Sequence, residues 1–137
     1  MESRVQKATE RHQKGYNCAQ AVACTYCDLV GMDEETMFKV TEGMGAGMGN
    51  MEGTCGAVSG AVALAGMLRS CGKLDDPSSK GATYKLSRAI LNDFKAENGS
   101  VICKDLKGVE TGKVLRSCPD CIKDAARLAE KVLFADK

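Results

Sequence analysis

The sequence has no tryptophan, only 4% aromatic residues, two prolines and a single histidine. So few aromatics leave no stacking platform of the kind that binds single-stranded nucleic acid. Charge points the same way. The 19 Lys and Arg against 18 Asp and Glu leave a formal net charge of +1, without the basic excess that a phosphate backbone demands. The lone histidine, His12, lies in a polar segment and reads as a surface residue. With no second histidine, Ser–His or Cys–His nucleophilic catalysis has little to stand on. Long apolar runs are also missing. The most apolar stretch, Ala57 to Leu68, is too short and too interrupted by glycine to span a bilayer, and reads as a buried helix. The start, Met1 to Lys7, is polar and lacks the apolar segment of a secretory leader. A cytoplasmic protein with no membrane segment is the expectation.

What is present is an ordinary globular balance, 44% hydrophobic and 27% charged over 137 residues, enough for one domain with a real core. No linker or repeat divides it, so residues 1–137 are taken as a single domain. Helical spacing of apolar residues recurs throughout, while strand-like alternation is nearly absent. A first helix is expected from about Ser3 to Lys14, stopping at Gly15, and a second from Cys18 to Val30, capped by Asn17 and closed by Gly31. Asp33 opens a third. Thr54 is the expected cap of an apolar helix, Cys55 to Ser70, around which the others pack. A further helix runs from Ser78 or Ser79 to about Glu97. A short turn covers Val101 to Leu106, and the last helix begins near Pro119. The fold class is therefore all-α, a bundle of five to six helices around the central helix 55–70. The Gly/Ala surface of that helix also allows a homodimer.

Cysteine is the outlier: Cys18, Cys24, Cys27, Cys55, Cys71, Cys103, Cys118 and Cys121. Without an export signal, such a load indicates metal ligation or redox chemistry rather than structural disulfides. Some free cysteines simply pack as small hydrophobes, the role expected of Cys71 and, with it, Cys24 and Cys27. Four others share one placement. Cys18, Cys55, Cys103 and Cys118 all fall at or near expected helix starts, where unpaired N–H groups and the helix dipole favour the thiolate. Thiolates bind iron and attack disulfides, and four of them, if brought together, meet the ligand count of a [2Fe–2S] or [4Fe–4S] centre.

Other motifs compete less well. Cys118-Pro119-Asp120-Cys121 has the spacing of a thiol–disulfide exchange motif but lacks the preceding strand of that fold. Joined with Cys24 and Cys27 it would make a four-sulfur zinc site, although the interval between the pairs is unlike a zinc ribbon. Neither Cys-x-x-Cys pair is followed by His, which excludes covalent haem attachment. The glycine-rich segment 43–53 lacks the Lys-Ser/Thr ending of a nucleotide-binding loop, so no nucleotide is expected. A loop passing close to a cluster or to another backbone is the better reading. Met44, Met48 and Met51 would suit copper(I) beside the thiolates, but methionines at that spacing are ordinarily core filler.

With those residues in view, the chain resembles the C_GCAxxG_C_C family of redox-active proteins over nearly its whole length. Gly15-Tyr16-Asn17-Cys18-Ala19-Gln20-Ala21-Val22 is similar to the family's first cysteine motif. Gly45-Ala46-Gly47-Met48-Gly49 with Cys55-Gly56-Ala57-Val58-Ser59-Gly60 is similar to its signature, and Cys103-Lys104-Asp105-Leu106 to its third motif. The fourth cysteine maps to Cys118, with Cys121 as the fallback. The resemblance implies a redox protein related to the iron–sulfur module of split-Soret cytochromes. The expectation is then an electron carrier or redox sensor, not clearly an enzyme, holding an iron–sulfur cluster on Cys18, Cys55, Cys103 and Cys118. That cluster is of a kind easily lost on purification, and it would exchange electrons with a redox partner protein. The alternatives are a cofactor-free thiol–disulfide oxidoreductase and a zinc- or copper-binding module.

Overall fold

A computed structural model describes residues 1–137. It is 64% helical and contains no strands. Six helices have eight residues or more: α1 (Val5–Gln13), α2 (Cys18–Thr25), α3 (Glu34–Glu42), α5 (Gly56–Arg69), α6 (Lys80–Asn98) and α8 (Cys118–Leu133). A five-residue helix, α7 (Cys103–Lys107), and a single turn, α4 (Gly45–Met48), complete the set.

Local chemistry accounts for most boundaries. The Asn17 side chain accepts from the Gln20 N–H at 2.9 Å while the Gln20 side chain accepts from the Asn17 N–H at 2.9 Å, a reciprocal capping box that starts α2. Asp33 caps α3 by accepting from the Thr36 N–H at 2.9 Å, and Ser117 caps α8 by accepting from the Asp120 N–H at 3.3 Å. Gly31 and Gly99 close their helices in the left-handed conformation, at φ 75° and 87°. The expected helix Cys18–Val30 is broken, however: α2 ends at Thr25, and Cys27–Val30 tightens into a 3₁₀ turn.

The central helix is α5, which packs against α2, α6 and α8. Ala57, Val58, Ala61, Leu64 and Ala65 on it are wholly buried, against Val22, Tyr26, Ile90, Phe94, Ile122, Leu128 and Phe134 from the surrounding elements. Gly60 lets α2 and α5 approach closely, for a Cβ there would lie 2.5 Å from the Ala19 carbonyl oxygen. Tyr26 stacks on Phe134 with centroids 5.4 Å apart, and its hydroxyl donates to the Glu130 carboxylate. That carboxylate also accepts from the Arg4 N–H at 2.8 Å, tying α8 to the chain's start.

Thr54 does not cap α5 as expected. Cys55 is the N-cap residue, and Thr54 instead forms an isolated antiparallel bridge with Ile102. The Cys55 N–H donates to the Val101 carbonyl at 2.7 Å, and the Cys103 N–H to the Gly53 carbonyl at 2.9 Å. Two segments nearly 50 residues apart are thereby pinned together just ahead of α5 and α7. This pairing determines where the cysteines meet.

Candidate functional site

The site begins with four helix starts. Cys18, Cys103 and Cys118 are the first residues of α2, α7 and α8, and Cys55 is the N-cap of α5. Their sulfurs line one cavity of about 290 Å³ together with Cys121, one turn into α8. That is roughly ten times the volume of one liquid water, about 30 Å³. All eight cysteines of the chain are free thiols.

The glycine-rich loop forms one wall. Ala46, Met48 and Met51 lie in the left-handed region at φ 51°, 66° and 65°, unusual for residues with a side chain. The loop is held there by bonds from the Met51 N–H to the Ala46 carbonyl (2.8 Å), from the Gly53 N–H to the Gly47 carbonyl (3.0 Å), and from the Lys104 N–H to the Met51 carbonyl (2.9 Å). Two glycines let backbone approach sulfur: a Cβ at Gly56 would overlap the Cys18 sulfur, and one at Gly47 would overlap the Cys103 Cβ.

Electrostatics divide four of these thiols. The Cys55 thiol is lowered to about 6, first by a hydrogen bond from Cys121, then by the Ala57 and Val58 N–H groups at the open start of α5 and by the Lys107 ammonium. Cys121 is pushed up by that same bond and by burial. Burial also raises Cys18, against an opposing hydrogen bond from the Ala46 N–H. Cys103 is raised by burial, with Lys107 working in the other direction. Cys18 and Cys103 each feel the charge of Cys55 and Cys118. Cys55 is thus held below its ordinary value while Cys18, Cys103 and Cys121 are held above theirs.

Three lining residues escaped the sequence reading or were placed differently by it. Lys107 follows Cys103 by four residues, one turn along α7, and its ammonium donates to the Cys118 sulfur. The Cys103-x-x-x-Lys107 spacing was the only signal for it. Cys121 faces the cavity alongside Cys118, not instead of it. His12 is half-buried and lines the cavity at the end of α1, where a surface residue was expected.

The remaining cysteines are elsewhere. Cys24 and Cys27 are buried as expected. Burial pushes the Cys24 thiol up to about 12, with Glu34 adding to it, and raises Cys27 as well. Neither lines the cavity with Cys118 and Cys121, so the two Cys-x-x-Cys pairs do not form one zinc site. Cys71 corrects an expectation. It is exposed, not buried, because α5 ends at Arg69 and the following residues form a solvent-exposed loop. No three His, Cys, Asp or Glu side chains in the chain are drawn together as the ligands of one metal ion.

Residues 16–132 match the model of the family described as "Putative redox-active protein (C_GCAxxG_C_C)". The chain belongs to this family. No curated protein and no solved structure is significantly similar to it. The C_GCAxxG_C_C match runs from before Cys18 to beyond Cys121 and so includes all five cavity cysteines. No helix of this family member is long and apolar enough to cross a membrane.

Proposed function

We propose that the cysteine cavity holds an iron–sulfur cluster and that the protein works as a one-electron carrier or redox sensor. The observation that carries this reading is the meeting of five sulfurs, from α2, α5, α7 and α8, around one cavity. The donor set suits the group: four thiolates are the ordinary complement of such clusters. N–H groups directed at Cys18 and Cys55 are the kind of donors that stabilise cluster-bound sulfur. Cys18, Cys55, Cys103 and Cys118 would hold the cluster, which would supply one-electron transfer. Cys121 would stand beside it as a fifth sulfur. A single tetrahedral zinc or copper ion is less well served, since these sulfurs surround a space and do not close on one point.

Protein purified without oxygen is expected to be brown, to contain iron and acid-labile sulfide, and to bleach on oxidation. Cys55→Ser is expected to abolish iron binding, and Cys71→Ser to leave it unchanged. Iron retained in full by the Cys55→Ser protein would remove that residue from the ligand set.

One observation favours a second reading. A lowered Cys55 thiol at the same cavity as Cys121 suits a thiol–disulfide oxidoreductase, in which both thiols lose their protons and two electrons pass to a disulfide substrate as the Cys55–Cys121 bond forms. Colourless, metal-free protein whose two thiols cycle with dithiothreitol would establish that reading in place of the first.

A further inference from the structure

Lys107 is the only Lys or Arg side chain lining the cysteine cavity. It is half-buried, and its ammonium donates to the Cys118 sulfur. Its neighbour Lys104 behaves differently, pairing with Glu52 and Glu110 at 3.1 Å each. Lys107 makes no ion pair with a carboxylate; the groups it faces are the sulfurs of Cys118, Cys121 and Cys103. A partly buried cation is retained where a partner group answers it, and here the partner is the Cys118 sulfur. Tertiary contacts aim it. The chain reverses at Gly108, and the Leu115 and Arg116 N–H groups both donate to the Leu106 carbonyl, at 2.9 and 3.2 Å. The start of α8 is thereby laid over the end of α7, with Cys118 in reach of Lys107.

From this geometry we infer that Lys107 is the charge-compensating, positioning residue of the site, holding the Cys118 sulfur and favouring the reduced state of the centre. The inference rests on the iron–sulfur reading above. Reduction adds an electron to a cavity already ringed by thiolates. A fixed cation at its wall offsets that added charge more in the reduced state than in the oxidised one, and so raises the potential. His12, the other lining residue able to carry positive charge, serves as the control.

The experiment compares the loaded wild-type protein with Lys107→Gln, Lys107→Arg and His12→Gln by iron and sulfide content, circular dichroism and an optical redox titration. A more negative midpoint potential in Lys107→Gln, with Lys107→Arg close to wild type, is expected. Lys107→Gln that folds but holds no iron, while Lys107→Arg holds it, also supports the assignment, because only the variant that keeps the positive charge keeps the centre. Lys107→Gln with full iron and an unshifted potential overturns it and leaves the iron–sulfur reading intact. Lys107→Arg as empty or as shifted as Lys107→Gln overturns it too, since shape and not charge would then matter. A His12→Gln shift equal to that of Lys107→Gln would take away the specific role. Wild-type protein without iron or sulfide would instead sink the reading beneath it.

Discussion

The crossing of α2 and α5 positions Cys18 against the start of the central helix, and adding one methyl group at Gly60 tests it. A Cβ at Gly60 would stand 2.5 Å from the Ala19 carbonyl oxygen and 3.2 Å from its carbonyl carbon and Cα. These are backbone atoms, so no rotamer change relieves the overlap and the helices must separate. Overpacking of this kind costs about 1–3 kcal/mol. The better helix propensity of alanine returns about 1 kcal/mol. Because the obstacle is rigid, the upper part of the first range applies, and Gly60→Ala should lose about 1–2 kcal/mol, or about 3–8 °C in Tm. Gly56→Ala differs in kind. Its Cβ would overlap the Cys18 sulfur and lie 3.1 Å from both the Gly45 Cα and the Met44 carbonyl oxygen. It should therefore lose iron binding as well as stability. Urea unfolding followed by circular dichroism, with iron and sulfide analysis of both variants, reads the two effects apart. A Gly60→Ala protein as stable as wild type would refute the close α2–α5 contact. Full iron in Gly56→Ala would refute the constraint on Cys18.

Further outcomes follow from the same structure. In cluster-free protein, one thiolate should appear with a midpoint of about 6 in the ultraviolet absorbance, vanish in Cys55→Ser, and move upward in Cys121→Ala, which removes the first cause of the lowering. Because the folded Cys55 value lies below the ordinary 9.0, its contribution to stability is complete above that ordinary value and is lost as pH falls through about 6. Denaturant midpoints across that window check the sign. Cys71, exposed and lowered to about 7 first by the Ser79 hydroxyl, should be the first cysteine alkylated by iodoacetamide, as peptide mapping after brief labelling would reveal. Tyr26→Phe removes a buried donor to Glu130 and should cost about 1–2 kcal/mol without changing iron content.

Much of the fold was legible because its signals are local. Asn17 and Asp33 act on N–H groups three residues away, and Gly31 acts through its own φ. The apolar run 57–68 announced a central helix because it has no polar face to turn toward water. Thr54 misled for a corresponding reason: a hydroxyl before a helix usually caps it, but here the backbone found a partner at Ile102, far along the chain. Cys71 misled because free cysteine ordinarily packs inside, whereas this one falls just beyond the end of α5.

By itself, then, the order of residues determined an all-helical chain with four cysteines at helix starts, since caps, glycine stops and apolar spacing are settled within a few residues. Only the tertiary structure decided that Cys121, Lys107 and His12 join those cysteines at one cavity while Cys24, Cys27 and Cys71 stay apart. That outcome depends on contacts between distant segments, the 53–55 pairing with 101–103 and the fold-back of α8 over α7. Their energies come from burial and backbone hydrogen bonds that exist only once the whole chain is packed.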